Sequence, residues 1–179
     1  MFRGFELIEE ELKKYIRAVP DFPKKGIIFR DVTPLLLEPQ IFKNALEAMG
    51  RRFESLSVEC IVGIESRGFI FGAPLAQMLD VGFALVRKPG KLPSKVKRVD
   101  YQLEYGSDTL EIHADSILSG QKVLIVDDLL ATGGTAAACE SLVESAGGEV
   151  VGATFLIELL SLQGRESLVT TEVHSVIDY

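Results

Sequence analysis

The sequence of 179 residues predicts an α/β fold, with one parallel β-sheet flanked by helices. Short, almost continuously apolar runs recur along the chain, and stretches with helical spacing of apolar residues separate them. Parallel strands that are covered by helices on both faces show runs of this kind. The length fits a single domain, so we expect one domain over residues 1–179.

The first part of the chain, about residues 1–35, precedes this alternation. Apolar residues at helical spacing predict a helix from Glu6 to Val19, which the prolines that follow bring to an end. GIIFRDVTP, residues 26–34, predicts a short extended piece and a turn. A second helix is expected around Gln40 to Leu56, with its apolar residues on one face.

The remainder of the chain predicts the sheet and its helices. The expected strands are CIVGIES (60–66), GFALVRK (82–88), KVLIVDD (122–128) and EVVGATFLIEL (149–159). The expected helices are GFIFGAPLAQML (68–79) and TAAACESLVESAG (135–147), and a glycine ends the second of them.

About residues 87–113 interrupt this pattern. VDYQLEY and DTLEIH lie on either side of GSD, which is a hairpin signal, so we expect an inserted antiparallel flap. Six of the chain's 19 basic residues lie in the stretch from Arg87 to Arg98 that leads into it. This concentration in an acidic protein favours a flexible loop that attracts a polyanionic substrate, although an exposed solvated loop has the same composition.

Charge and cysteine content narrow the class of protein. The net charge of −7 disfavours nucleic acid or an anionic membrane as the main partner. Cys60 and Cys139 lie in apolar and helical runs, as buried thiols of a reducing compartment do. The N-terminus has early glutamates and no apolar core of a signal peptide, and no apolar run is long enough to span a membrane. We therefore expect a cytoplasmic protein.

Two adjacent acids carry the strongest functional signal. Asp127 and Asp128 follow an apolar strand directly, and ligands of parallel sheets bind beyond the carboxyl ends of the strands. Carboxylates accept hydrogen bonds and do not donate them, so this pair suits either the vicinal hydroxyls of a ribose or a metal ion.

An anion-binding loop follows the acids. Residues 131–135 read ATGGT and lead into a helix, whose N-terminus and loop N–H groups can bind a phosphate. Gly133 and Gly134 permit close approach of the backbone, and the hydroxyls of Thr132 and Thr135 add donors. Together with the acids, the loop predicts a site for a ribose 5-phosphate group.

The complete string VLIVDDLLATGGT resembles the phosphoribosyl pyrophosphate signature of the type I phosphoribosyltransferases. Other segments resemble the adenine phosphoribosyltransferases of that family, in the family's order along the chain. These are DFPKKGIIFRD (21–31), ESRGFIFG (65–72), RKPGKLP (87–93), LEYG (103–106) and LIELLSLQGRE (156–166).

The resemblance implies the type I phosphoribosyltransferase fold, with about residues 1–35 forming an N-terminal hood that contributes to the base site. It also implies transfer of the phosphoribosyl group of phosphoribosyl pyrophosphate to adenine, which gives AMP and pyrophosphate. Mg²⁺ is the implied cofactor, held by Asp127 and Asp128 directly, through water or through the ribose hydroxyls. Ala131 to Thr135 would bind the 5-phosphate.

The resemblance also assigns residues to the leaving group, to catalysis and to the base. The implied pyrophosphate-binding residues are Glu65, Ser66, Arg67, Arg87, Lys88 and Lys91, and the implied catalytic residues are Glu104, Arg67, Asp127 and Asp128. Ile27, Ile28, Phe29, Arg67 and Leu129 are the implied adenine-binding residues. Glu104 matches a glutamate suspected of proton transfer at the base, and an ordinary polar strand residue is its alternative.

Other functions share the phosphoribosyl half of this hypothesis. An enzyme specific for hypoxanthine, guanine or xanthine is the nearby variant, and a non-catalytic regulator that senses phosphoribosyl pyrophosphate belongs to another class. A regulator of that kind needs a helix-turn-helix domain or a basic face, and this acidic chain has no room for the extra domain. A homodimer is expected, and Arg87 acts either within its own subunit or across the dimer.

Overall fold

The computed structural model describes residues 2–102, 107–168 and 171–179. The chain forms two compact units, Met1–Ala48 and Met49–Tyr179. Compact units of this kind occur within single domains, so the expectation of one domain stays a prediction. No helix within the described residues is long and apolar enough to cross a membrane.

The first unit contains two helices and a small antiparallel sheet, and the next helix begins in it. Its elements are α1 (Phe2–Lys13), β1 (Arg17–Pro20), β2 (Ile28–Asp31) and α2 (Thr33–Leu36), and α3 (Pro39–Gly50) begins in this unit. β1 pairs with β2, and Pro20 lies opposite Ile28. The expected helix to Val19 is therefore too long, because pairing with a strand further along the chain takes residues 17–20.

The second unit contains the predicted parallel sheet. Its strands are β3 (Cys60–Ile64), β4 (Gly82–Val86), β7 (Lys122–Leu130), β8 (Glu149–Glu158) and β9 (Val173–Asp178). They lie in the order β4-β3-β7-β8-β9, and every neighbouring pair is parallel. Helices α4 (Gly68–Leu79) and α5 (Gly134–Ala146) follow β3 and β7. The α/β fold class is confirmed, whereas the edge strand β9 was not predicted.

Burial explains why the central strands read as apolar runs. All five residues of β3 are buried, and Val123 to Val126 of β7 are completely buried. α5 ends at Gly147, whose φ of 101° is left-handed and whose N–H group bonds the carbonyl groups of the last turn. The helix after β7 therefore begins and ends where the sequence predicts, within one residue.

The predicted flap is a hairpin of β5 (Val96–Gln102) and β6 (Ser107–His113). The two strands are antiparallel, with Val96 opposite His113 and Gln102 opposite Ser107. Leu110 and Ile112 are completely buried and belong to the same apolar core as β3 and β7. The tip, residues 103–106, lies outside the described residues, and the flexibility of the loop stays a prediction.

Candidate active site

A cavity of about 360 Å³ opens at the carboxyl ends of β3 and β7, where a parallel sheet binds its ligands. The cavity brings together the acid pair, the glycine loop and part of the expected pyrophosphate site. Its lining residues are Glu65, Ser66, Arg67, Lys88, Phe155 and the continuous segment 127–136.

The acid pair lies near the end of β7. Oδ1 of Asp127 accepts a hydrogen bond of 2.8 Å from the backbone N–H of Asp128. Nε of Arg67 lies 2.6 Å from Oδ2 of Asp128, a side chain that is only 5% exposed. This contact is an ion pair by distance but lacks the geometry of a directed hydrogen bond. The side chain of Arg67 therefore lies beside the acid pair.

Burial sets the protonation behaviour of these acids. It raises the pKa of Asp127 well above its ordinary value, and the neighbouring charge of Asp128 raises it further. Burial also raises the pKa of Asp128, although the positive charge of Arg67 acts against this shift. Asp128 is buried and Asp127 is half-buried. Two carboxylates that repel each other in such a place are stabilised by hydrogen-bond donors or by positive charge.

The acid pair also fits a hydrated divalent cation. Within the described residues, no group of three or more His, Cys, Asp or Glu side chains lies close enough to hold a metal ion by itself. Mg²⁺ is commonly held by one or two carboxylates, with water and substrate oxygens completing its shell. Asp127 and Asp128 match that donor set if the substrate supplies the other oxygens.

The glycine loop connects the acids to α5. Residues 131–133 lie between β7 and the first helical residue, Gly134, and Gly133 has a left-handed φ of 82°. The first N–H groups of a helix lack partners within the helix, so they can serve as donors to an anion at this point. Oγ1 of Thr135 lies 3.4 Å from the hydroxyl of Tyr101 in the flap.

Three of the expected pyrophosphate residues form a cluster around Glu65. Its Oε2 accepts hydrogen bonds from Nε of Arg87 at 3.2 Å and from the backbone N–H of Lys88 at 2.9 Å, and the ammonium group of Lys91 pairs with Oε1. Burial alone would raise the pKa of Glu65, but these donors outweigh it and lower the pKa below its ordinary value. Glu65 therefore holds basic side chains that are expected to bind pyrophosphate.

Two flap residues that the sequence did not single out reach this cluster. The ammonium group of Lys88 donates to the hydroxyl of Tyr101 at 3.2 Å and pairs with Asp108. Burial would lower the pKa of Lys88, but these partners raise it. Tyr101 is 9% exposed. The alternation of side chains along a strand was the sequence signal for its inward position.

The remaining expected residues have different positions. Leu129 lines the cavity with Arg67. Ile27, Ile28 and Phe29 lie in the first unit, where Phe29 packs edge-to-face against Phe22. Ile27 and Ile28 are about half exposed, at 46% and 51%. Glu104 lies outside the described residues, so the expectation about its role stays a prediction.

Comparison with known proteins agrees with this geometry. Residues 32–178 match the phosphoribosyl transferase domain family. Adenine phosphoribosyltransferases of Clostridium perfringens and Microcystis aeruginosa are each 54% identical to the chain, over 94% of its length and over 98% and 99% of theirs.

Solved structures show the same relationship. The adenine phosphoribosyltransferase of Rhodothermus marinus has a TM-score of 0.93 and 53% identity, covering 97% of this chain and 99% of that one. The Saccharomyces cerevisiae enzyme, solved with an imino-altritol bisphosphate and adenine, has a TM-score of 0.90 and 40% identity, covering 96% and 99%. The chain therefore belongs to the phosphoribosyltransferase family, and within that family to the adenine phosphoribosyltransferases.

Proposed function

We propose that this chain transfers the phosphoribosyl group of phosphoribosyl pyrophosphate to adenine and releases AMP and pyrophosphate. The observation that carries the proposal is one cavity wall, residues 127–136, where an acid pair and a glycine loop follow each other in a chain 54% identical to adenine phosphoribosyltransferases. In this reaction pyrophosphate leaves the anomeric carbon, positive charge develops on the ribose ring, and a nitrogen of the base attacks. The protein must bind the leaving group, hold the ribose and exclude water.

Asp127 and Asp128 hold the ribose. Their oxygens accept hydrogen bonds from the two vicinal hydroxyls, and their negative charge stabilises the cationic ring of the transition state. Support comes from the raised pKa of both acids, because donors from a substrate relieve the cost of burying adjacent carboxylates. Arg67, which already pairs with Asp128, extends toward the leaving group and the base.

The glycine loop, Ala131 to Thr135, binds the 5-phosphate. Its backbone N–H groups and the N-terminus of α5 supply donors, and Thr132 and Thr135 supply hydroxyls. Gly133 has the left-handed backbone that directs consecutive N–H groups toward one point. The phosphate thereby fixes one end of the substrate while the acids hold its centre.

Arg87, Lys88 and Lys91 bind the pyrophosphate, together with Ser66 and Arg67. This assignment is supported by the cluster in which the carboxylate of Glu65 contacts Arg87, Lys88 and Lys91. Glu65 acts through these cations, since a carboxylate repels pyrophosphate directly. The anion competes with Glu65 for the side chains of Arg87 and Lys91, which are 30% and 48% exposed. We propose a homodimer, since twofold dimers are the commonest assemblies of identical chains. In such a dimer Arg87 acts either in its own subunit or in the neighbouring one.

Mg²⁺ is the proposed cofactor, with Asp127 and Asp128 as its protein ligands, directly, through water or through the ribose hydroxyls. Held there, the ion would supply positive charge to offset the charge of the leaving pyrophosphate. Glu104 is the proposed proton-transfer residue at the base, since a carboxylate under a closed flap acquires a pKa suited to that role. The free, buried thiols of Cys60 and Cys139 support a reducing, cytoplasmic compartment.

The proposed adenine-binding residues are Ile28, whose backbone reads the base, and Ile27, Phe29, Arg67 and Leu129. Adenine presents an amino donor beside a ring-nitrogen acceptor, which matches one carbonyl and one N–H of an extended residue. Pro20, which lies opposite Ile28, has no N–H and so favours a pair that makes no bonds across the ladder. Both polar backbone groups of Ile28 then point away from β1.

The test is incubation of the purified protein with phosphoribosyl pyrophosphate, Mg²⁺ and each purine base in turn, followed by chromatography of the nucleotides. We expect AMP from adenine and almost no nucleotide from hypoxanthine, guanine or xanthine. A second set of reactions without Mg²⁺, with chelator present, should lose turnover. Equal use of hypoxanthine or guanine would refute the adenine assignment, and binding of phosphoribosyl pyrophosphate without turnover would indicate a regulator.

A further inference from the structure

A segment behind the glycine loop has no part in the proposed mechanism. Residues 159–168, here called the backing segment, connect β8 toward β9 through two short 3₁₀ turns, Leu160–Leu162 and Gly164–Ser167. Its first residue bonds the strand that carries the acids, because the N–H of Leu159 donates to the carbonyl of Leu130 at 2.9 Å. Its last residue, Leu168, is buried in the apolar core.

The backing segment contacts the phosphate loop backbone to backbone. A Cβ atom on Gly133 would lie 2.2 Å from the carbonyl oxygen of Gly164, and one on Gly164 would lie 2.3 Å from the carbonyl oxygen of Ala131. Oγ of Ser167 donates a hydrogen bond of 3.0 Å to the carbonyl of Thr132. Two consecutive carbonyl groups of the loop thus face this segment, so its position helps to fix where the loop N–H groups point.

Arg165 fixes the turn that makes these contacts. Its guanidinium group donates to both carboxylate oxygens of Glu158 at 2.6–2.8 Å and to the carbonyl of Val173 at 2.9 Å, and it also bonds Ser175. Glu158 is 1% exposed and lies opposite Leu130 in the sheet. The planar fork of an arginine permits this two-point grip, whereas a lysine presents a single ammonium group.

We propose that Arg165 is a positioning residue for the 5-phosphate, acting with Glu158 to hold the backing segment against the phosphate loop. The inference rests on the proposed function, in which residues 131–135 bind that phosphate. If the ion pair had only a general structural role, its loss would lower stability and would affect the binding of every substrate alike. The position of Arg165 between Gly164 and Ser167, both of which contact the loop, predicts a selective effect on the phosphate end of the substrate.

The test compares R165K and S167A with the wild-type enzyme. R165K keeps the charge and loses the fork, and S167A removes only the hydrogen bond to Thr132. We expect KM for phosphoribosyl pyrophosphate and the dissociation constant of ribose 5-phosphate to rise on the order of tenfold in R165K, since weakening about one hydrogen bond between the loop and the charged phosphate has an effect of this size. S167A should move both in the same direction by a smaller factor.

Other quantities should not move with them. The dissociation constant of pyrophosphate, which binds through other residues, should stay within about twofold, as should KM for adenine at saturating co-substrate and kcat. R52K is the matched control, since it alters the exposed pair between Arg52 and Glu172. It should leave all these constants unchanged.

The outcomes separate this inference from the proposed function. If the wild-type enzyme makes no AMP, the proposed function fails. If it makes AMP but folded R165K and S167A bind ribose 5-phosphate as tightly as wild type, the inference alone is overturned. Equal weakening of ribose 5-phosphate and pyrophosphate would also overturn it, because that result indicates a general structural role. Should R165K fail to fold, S167A decides the question by the same two constants.

Discussion

Gly68 packs directly against Asp127. A Cβ atom at position 68 would lie 3.0 Å from Oδ1 of Asp127 and 2.7 Å from the carbonyl oxygen of Val126, so any larger residue would displace the acid or its strand. The start of α4 therefore occupies the space from which water would otherwise hydrate this carboxylate. This close packing accounts in part for the burial that raises the pKa of Asp127.

Asp127→Asn should lower activity and raise stability in the same protein. Asparagine keeps an oxygen for the N–H of Asp128 and can donate to the carboxylate of Asp128, so the repulsion between the two adjacent acids disappears. We expect kcat to fall about 10²–10³-fold, as when one preorganised electrostatic group is removed. The free energy of unfolding at pH 8 should rise, as measured by denaturant titration.

The pH dependence of this stabilisation has a definite sign. An acid whose pKa is raised by folding destabilises the folded state once the pH exceeds its ordinary value of about 3.9, and the penalty grows until the raised pKa is passed. The gain from Asp127→Asn should therefore be largest at pH 8 and vanish near pH 4. Asp115→Asn, the same substitution at an exposed position, is the control. A variant less stable than wild type at pH 8 would contradict this account.

Glu65→Gln should have the opposite pH dependence. The pKa of Glu65 is lowered, so its ion pairs contribute stability above its ordinary pKa of about 4.3 and lose it as the pH falls through the lowered value. We expect the variant to be less stable at pH 7 by about 1 kcal/mol or less, because Lys91 and Arg87 are partly solvated. In denaturant titrations at decreasing pH, the difference between the variant and the wild type should shrink as Glu65 becomes protonated.

The control for this prediction is Glu54→Gln, since Glu54 is exposed. Added salt should reduce the difference at pH 7 because it screens partly exposed pairs. A difference between wild type and Glu65→Gln that does not shrink as the pH falls would show that packing, and not charge, is responsible.

Gly133→Ala should cost more than its backbone conformation alone requires. A left-handed φ of 82° costs an alanine roughly 1–2 kcal/mol, and the added Cβ would also meet the carbonyl of Gly164 at 2.2 Å. Gly120→Ala isolates the first cost, because Gly120 has a φ of 74° and no atom within 4 Å of the added Cβ. We expect Gly133→Ala to lose more unfolding free energy than Gly120→Ala and to weaken ribose 5-phosphate binding. Equal losses of unfolding free energy in the two variants would indicate that the loop moves away from Gly164 without an energetic penalty.

Structural features formed by residues of one continuous segment were predictable from the sequence. The helix predicted over residues 68–79 is observed at Gly68–Leu79, and the acids, the loop and α5 follow each other as expected. Fully buried parallel strands produce apolar runs, and a strand-loop-helix unit places its own ligand groups together. No distant contact was needed to locate this wall of the cavity.

Features that depend on distant pairing were missed. β1 exists because residues 17–20 pair with β2, and helical spacing of nearby apolar residues concealed that pairing. β9 is an edge strand of mixed polarity, so VHSVID gave no apolar run. The ion pair between Arg165 and Glu158 was not predicted either, although both residues lie in segment 156–166. Only the fold shows that this turn contacts the carbonyl of Thr132.

The last prediction concerns base selection by Ile28. Ile28→Pro removes the N–H group that the proposal places against adenine, while Ile28→Val keeps both backbone groups and a similar apolar side chain. An unpaired polar group in the closed site costs about 1–3 kcal/mol, so KM for adenine should rise by about 10–100-fold in Ile28→Pro. Pro20 already lacks an N–H opposite this position, so the ladder between β1 and β2 should tolerate the proline, which circular dichroism can check. Ile28→Val should retain both activity and discrimination against hypoxanthine and guanine. Unchanged adenine kinetics in a folded Ile28→Pro variant would show that another residue reads the base.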